Sequence, residues 1–222
     1  MCGRLFIKPE EVYRLLDELG LPWMNIPELN NQAPSESVPF VYVENGMYKL
    51  DMMRWGLHPK FAKEAPTSQS RAYNARIESI ETLYTFRDAI KKQRGFVAAA
   101  GFLEWKNVGN ISEPFYIDCE DQPLALAGVW DIWNNEVLSF SVITQPAHET
   151  FGAIHPRMPL SLNREQRVRW CDPNENVHEL LKEFYGHSLP LRFQPVSFDV
   201  NNARNKGPLT FVDNHPKQTA LF

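Results

Sequence analysis

Three side chains in this sequence have types and settings suited to chemistry at neutral pH. Cys2 stands directly behind the initiator methionine, in Met1-Cys2-Gly3-Arg4. Removal of Met1 would leave Cys2 with an α-amine and a thiol on adjacent carbons, of reference pKa about 7.7–8.0 and about 8.5. On the order of a tenth of such an amine is neutral at pH 7, and it is nucleophilic without help from the fold. Gly3 permits close backbone approach to a ligand. The competing account of Cys2 is an inert, small apolar residue. Glu104 follows the apolar run AAAGFL and precedes Trp105. Burying an unpaired carboxylate is costly. Glu104 is therefore either a surface residue at a strand end or a carboxyl group held against an indole, placed to take and give a proton. His155 lies in the Pro-rich stretch His155-Pro156-Arg157-Met158-Pro159. It is either an exposed loop histidine or a proton shuttle, the role its ordinary pKa suits best.

Around these lie groups fit for anions and for orientation. Arg4, Arg76 and Arg157 are either separate surface arginines, paired with some of the 27 acids, or a pocket for phosphates. Asn74, in Asn74-Ala75-Arg76-Ile77-Glu78, and the pair Asn201-Asn202 are residues that commonly cap turns. Cys119 and Cys171 read as buried small hydrophobes. His58, His148, His178, His187 and His215 have no ligand spacing, and the three cysteines are far apart with no CxxC, so neither a metal site nor a cofactor is expected.

The elements that must hold these groups are legible in part. The chain has 222 residues, 43% of them hydrophobic, which is enough for a real core. No internal repeat, low-complexity run or Gly/Ser linker divides it, so one domain over 1–222 is expected. A helix is predicted over Lys8–Gly20, with Pro9 at its first turn, Gly20 as its stop, and Val12, Leu15, Leu16 and Leu19 on one face. Residues 21–37 read as loop. Asn45-Gly46 predicts a hairpin of strands near 38–43 and 47–54. Residues 57–79 read as irregular, 81–93 as a helix, and GFVAAAGFLEW as one or two buried strands. Strands follow near 114–118, 123–130, 137–144 and 192–198, with helices near 163–171 and 174–185. Many strands with segregated helices predict an α+β fold: a curved antiparallel or mixed β core, barrel-like, with peripheral helices.

Net charge is −4, so nucleic-acid contact would have to come from a local arginine cluster rather than from the chain's overall charge. No run approaches about 18 apolar residues, and no basic segment leads into an apolar stretch, so neither a membrane span nor a secretory signal is expected. Sparse cysteines fit a reducing cytoplasm.

In combination the motifs resemble the SRAP family, the SOS-response-associated peptidases, also described as sensors of abasic sites in single-stranded DNA. The resemblance rests on MCGR at 1–4, NQAP at 31–34, RWGL at 54–57, NARIES at 74–79, GFLEW at 101–105, HPRMP at 155–159 and VNNARNKGP at 200–208. It implies a DNA-damage and repair role in which the terminal cysteine forms a thiazolidine cross-link with an abasic site and shields it from strand cleavage. It also implies Cys2 as nucleophile, with Asn74, Glu104 and His155 around it, and Arg4, Arg76, Arg157, Phe61 and Trp105 toward DNA. The partner implied is abasic single-stranded DNA, the protein a monomer with no cofactor. The family name implies a hydrolase activity too, with Cys2 cleaving a peptide bond such as Met1–Cys2. Leu29-Asn30 stand where family members usually show Arg-Tyr, and Phe61 is the one aromatic where many carry tryptophans. Two other readings stay open at this point. One is an N-terminal-nucleophile amidohydrolase, which also begins Met-Cys-Gly. The other is a module that binds modified or damaged DNA reversibly.

Overall fold

The computed structural model describes residues 3–67, 72–120 and 122–213. Its strands are β1 (Arg4–Ile7), β2 (Leu29–Gln32), β3 (Ser37–Glu44), β4 (Met47–Trp55), β5 (Asn74–Arg76) and β6 (Arg94–Ala99). They continue with β7 (Gly101–Val108), β8 (Ile111–Cys119), β9 (Leu124–Trp133), β10 (Val137–Pro146), β11 (Arg157–Pro159) and β12 (Leu191–Pro195). Helices are α1 (Pro9–Leu19), α2 (Glu149–Gly152), α3 (Arg164–Cys171) and α4 (Val177–Phe184).

The central feature is a ring of strands. β10 pairs β4, β4 pairs β3, β3 pairs β6, β6 pairs β9, and β9 returns to β10. Only the β10–β4 contact in this circuit is parallel. The β3–β4 turn is carried by Asn45 and Gly46, both left-handed at φ 52° and 76°, as a tight hairpin turn with the right twist requires. The strands are apolar because they are covered on both faces: all six residues of β6 and the first eight of β9 are buried. β5 and β11 extend the ring by pairing with the last third of β10.

The second sheet has the order β12-β8-β7-β1-β2. Ala100 alone separates β6 from β7, so the chain steps directly from ring to sheet, and the Ala100 N–H donates to the Phe6 carbonyl at 2.9 Å. Side chains alternate across this sheet as strand geometry dictates. Leu5, Ile7 and Phe102 join the main core, while Phe6, Leu103 and Tyr116 form a second cluster with Val196 and Val200 on the far face. The architecture is the expected curved, mixed β core with helices at its edges.

Helix α1 ends as predicted, with Gly20 left-handed at φ 66° and Val12, Leu15 and Leu16 buried. Asn163 and Gln166 form a reciprocal capping box on α3, and Asn176 caps α4. Several segments differ from expectation; among them Asn74–Arg76, within the stretch read as irregular, forms β5 because β10 offers it a parallel partner. Residues 81–93 fold as successive turns ending in a short 3₁₀ helix, Ala89–Lys91, instead of one helix. Thr82, Tyr84, Thr85 and Phe86 are weak helix formers, and the buried residues Phe86, Ala89 and Ile90 leave Leu83 and Tyr84 facing outward. Leu29–Gln32, expected as loop, forms β2 because β1 offers an edge there. Arg157–Pro159, expected in a loop, pairs with β10 as β11.

One buried cation fastens the helices to the ring. Arg94 is 1% exposed. Its Nε donates to the Trp170 carbonyl at 2.7 Å, Nη1 to those of Ile90 and Lys91 at 3.1 and 2.6 Å, and Nη2 to those of Asp172 and Glu175. Burial lowers its pKa, against the raising influence of Cys171, Asp172 and Glu175. Arg94→Met keeps most of the stem but strips donors from five carbonyls, and an unsatisfied buried polar group costs about 1–3 kcal/mol. We expect a loss of at least about 3 kcal/mol, read as a lower urea midpoint. An unchanged midpoint would show that water or repacking replaces the guanidinium.

Candidate functional site

Two of the polar motifs meet across the end of β10. On one side Val142, Ile143 and Thr144 pair in parallel with Asn74, Ala75 and Arg76. On the other, Thr144, Gln145 and Pro146 pair with Pro159, Met158 and Arg157. Thr144 is thus opposite both motifs, and its carbonyl accepts from the Ile77 N–H at 2.9 Å and from Arg157 Nη2 at 2.7 Å. Arg157 closes the junction with a two-pronged ion pair to Glu78, Nη1 to Oε1 at 2.5 Å and Nη2 to Oε2 at 3.0 Å. Burial works to raise the Glu78 pKa, but the Arg157 hydrogen bonds, a backbone hydrogen bond and the charges of Arg157 and Arg76 outweigh it and hold the carboxyl below its ordinary value.

His155 is held from two directions. Its backbone N–H donates to the Phe151 carbonyl at 3.1 Å. Its Nδ1 lies 3.0 Å from both the Arg157 N–H and the Arg157 carbonyl, accepting from the first or donating to the second according to the ring's tautomer. Asn74 is half-buried and Arg76 exposed, as alternation along β5 requires.

A second group lies on β1 and β7. Glu104 is 3% exposed and shares a strand face with Phe102. Its Oε1 accepts from the Trp105 N–H at 3.3 Å. Trp105 points the other way, where its indole N–H donates to Asn201 Oδ1 at 2.7 Å and the Arg4 guanidinium sits 5.6 Å above its ring. Burial lowers the Arg4 pKa, partly offset by Glu36. Beneath them the NQAP and VNNARNKGP stretches are locked together. Asn31 Nδ2 reaches the carbonyls of Val200, Asn202 and Asn205 at 3.0–3.1 Å. Lys206 Nζ donates to the Asn31 carbonyl and to Glu36. Asn31, Glu36 and Thr144 were not singled out by sequence. Asn31 lies within a recognisable motif, whereas Glu36 and Thr144 carry no sequence signal of their partners.

Two buried side chains tie the groups together. Trp55, fully buried, donates its backbone N–H to the Glu36 carbonyl and its indole N–H to the Tyr73 carbonyl, next to Asn74. Phe102, two residues before Glu104, stacks with Phe151 at 6.2 Å between centroids, and Phe151 carries the His155 hydrogen bond. Phe61 stands apart from these contacts, its ring 4.3 Å from that of Tyr84 and tilted 46° to it. Cys2 lies outside the described residues. Cys119 is 7% exposed and Cys171 1%, and burial pushes the Cys171 thiol up to about 12. Among the described residues no cluster of His, Cys, Asp and Glu has the makings of a metal site, and no helix is long and apolar enough to cross a membrane.

A family model described as "SOS response associated peptidase (SRAP)" matches residues 1–203. The chain is 27% identical over 228 residues to the abasic site processing protein YoqW of Bacillus subtilis, covering 97% of this chain and 100% of that one. It is 30% identical over 190 residues to the abasic site processing protein HMCES of Xenopus tropicalis, covering 72% of this chain and 56% of that one. A crystal structure of a protein from Bordetella bronchiseptica has the same fold, with a TM-score of 0.74 at 21% identity over 88% of this chain and 100% of the other.

Proposed function

Because the chain belongs to the SRAP family, we propose that it binds single-stranded DNA at abasic sites and captures the lesion covalently on Cys2. The observation that carries this reading is the junction at β10, where the Asn74 and His155 motifs flank the same strand on its two sides. Relatives along the whole chain are named for processing abasic sites.

An abasic sugar opens to an aldehyde. With Met1 removed, the neutral amine of Cys2 attacks the aldehyde carbon, and loss of water leaves an imine. The Cys2 sulfur then adds to the same carbon while the nitrogen takes up the thiol proton. The product is a five-membered thiazolidine, and the balance is aldehyde plus aminothiol to ring plus one water. Held reactants of this kind reach effective molarities on the order of 10⁵ M or more. Glu104, buried and fixed on β7, carries protons to and from the sugar oxygen and the departing water. His155 assists at the sugar ring oxygen as it opens. Asn74 orients the amine. The reading calls for no metal or cofactor.

The test is intact-protein mass after mixing with an oligonucleotide bearing one abasic site. A heat-stable species at the summed mass less one water is expected, with none from undamaged DNA. Absence of that species with protein beginning at Cys2 would end the proposal.

Phosphate contact is assigned to Arg4, Arg76 and Arg157, with Trp105 beneath Arg4. Log K should fall with log salt at about −0.7 per phosphate neutralised on single strands. Arg76→Ala should flatten the slope by roughly 0.7. Arg157→Ala should flatten it less, because Glu78 already balances that charge. Fluorescence anisotropy across a salt series reads both. Equal flattening would mean that the Glu78 pair opens on DNA.

A further inference from the structure

The face of the second sheet turned away from Glu104 carries a cleft of about 440 Å³, an ordinary size for a small-molecule site. Its floor is Phe6 on β1 and Tyr116 on β8, both from the smaller core cluster. The phenol end of Tyr116 lies on Gly101, where a Cβ would stand 2.5 Å from its Oη. Phe6 is the cross-strand partner of Gly101, so the hydroxyl sits beside Phe6. Phe6 and Phe211 meet the Tyr116 ring at 89° and 79°, with centroids 5.5 and 5.9 Å away.

The polar groups of the cleft are unevenly matched. Asp118 and Arg192 spend their charges on each other, through bonds of 2.9 and 2.8 Å. Tyr116 is 4% exposed, yet its hydroxyl makes no hydrogen bond among the described residues, although a buried phenol usually finds a partner. Burial, and after it the charges of Asp118 and Glu11, raises its pKa, so it offers a proton at neutral pH. Lys8 and Glu28 stand exposed at the rim. Ile7 pairs with Leu29 in antiparallel register, which sets Lys8 against Glu28 where the two strands meet the cleft. Glu28 accepts a hydrogen bond from the neutral Asn30 amide at 3.3 Å. Among the described residues neither Lys8 nor Glu28 makes an ion pair, with each other or with any other group.

We infer that this cleft binds a free α-amino acid with an aromatic side chain. Its carboxylate meets Lys8 and its ammonium meets Glu28. Its ring lies across Phe6 against Phe211, and an oxygen at the far end of the ring accepts from the Tyr116 hydroxyl. L-Tyrosine has that outline. A plain anion would leave Glu28 unmatched, and a plain cation would leave Lys8 unmatched. The site goes beyond the DNA reading and uses none of Cys2, Asn74, Glu104 or His155.

The test is an NMR titration of the full chain with L-tyrosine, L-phenylalanine, N-acetyl-L-tyrosine and L-tyrosinamide. L-Tyrosine should shift the Phe6 and Tyr116 signals saturably. Blocking its amine or its carboxylate should each weaken binding by about two- to fivefold, a modest loss because the rim charges are open to solvent. Glu28→Gln should remove the penalty for acetylation and keep that for amidation, and Lys8→Gln should do the reverse. Both residues are exposed, so neither change threatens the fold. Tyr116→Phe keeps the ring on Gly101 and should weaken L-tyrosine binding by about three- to tenfold, the worth of one hydrogen bond, to the level of L-phenylalanine. Free and blocked forms binding alike, or no saturable shift with L-tyrosine, would overturn the inference. Adduct formation with abasic DNA is measured separately, so the proposed function stands or falls by its own result.

Discussion

Cys2→Ala should abolish the heat-stable adduct with abasic single-stranded DNA, the largest effect expected of any single substitution. Once Met1 is removed, the variant keeps a terminal amine, so imine formation survives and borohydride should still trap a reduced species. What is lost is the sulfur that closes the ring. Cys119→Ala and Cys171→Ala should leave the adduct intact. Both residues are buried, and the thiol of Cys171, pushed up to about 12 by burial, is almost wholly protonated at neutral pH and a poor nucleophile. Denaturing gels and mass spectrometry of all three variants decide the matter. A heat-stable adduct from Cys2→Ala would place the nucleophile elsewhere.

Glu104→Gln should slow adduct formation by about 10²–10⁴-fold, the usual contribution of a general acid–base group. It should change affinity for a non-reactive abasic analogue by less than about threefold, since the amide keeps the carboxylate's shape and Glu104 is buried inside the sheet. Single-turnover kinetics alongside equilibrium binding separate the two. A parallel fall in rate and affinity would make Glu104 a structural residue. Charge removal alone cannot produce the split, because a purely structural carboxylate would lower stability, and thermal unfolding of the variant reads that directly.

Where local chemistry decides the structure, the sequence was readable. Pro9, Gly20 and the Val12–Leu15–Leu16–Leu19 spacing define α1 without help from the rest of the chain, and Asn45-Gly46 defines its hairpin. Asn163 and Asn176 cap α3 and α4. Where the partner is distant, it was not readable. Leu-Asn-Asn-Gln has no alternation, and β2 exists because β1 has an edge to fill. The helix expected over 81–93 fails because apolar residues at 86, 89 and 90 are drawn inward by the ring while 83 and 84 are left out. The candidate site divides the same way. Its motifs stand out in the sequence, but Glu78 and Arg157 are 79 positions apart, and nothing in either stretch announces the other. Asn31 shows the same limit, since its motif is visible and its three carbonyl partners are not.

The closed circuit of strands also sets an order of events in time. Ribosomes deliver the N-terminal end first, so the stretch beginning at Cys2 is made before anything that would surround it. β4 ends at Trp55, but the strand that seams the circuit, β10, begins only at Val137. Until β10 has been synthesised, Asn74 has no strand to pair with, and His155 and Arg157 do not yet exist. A nascent chain at that point therefore carries the aminothiol proposed for Cys2, with Arg4, Arg76 and Glu104, but without His155 and Arg157. Pairing with β10 brings the Asn74 and Arg157 stretches to one strand, so the proposed site is complete only once the last third of the chain has been translated.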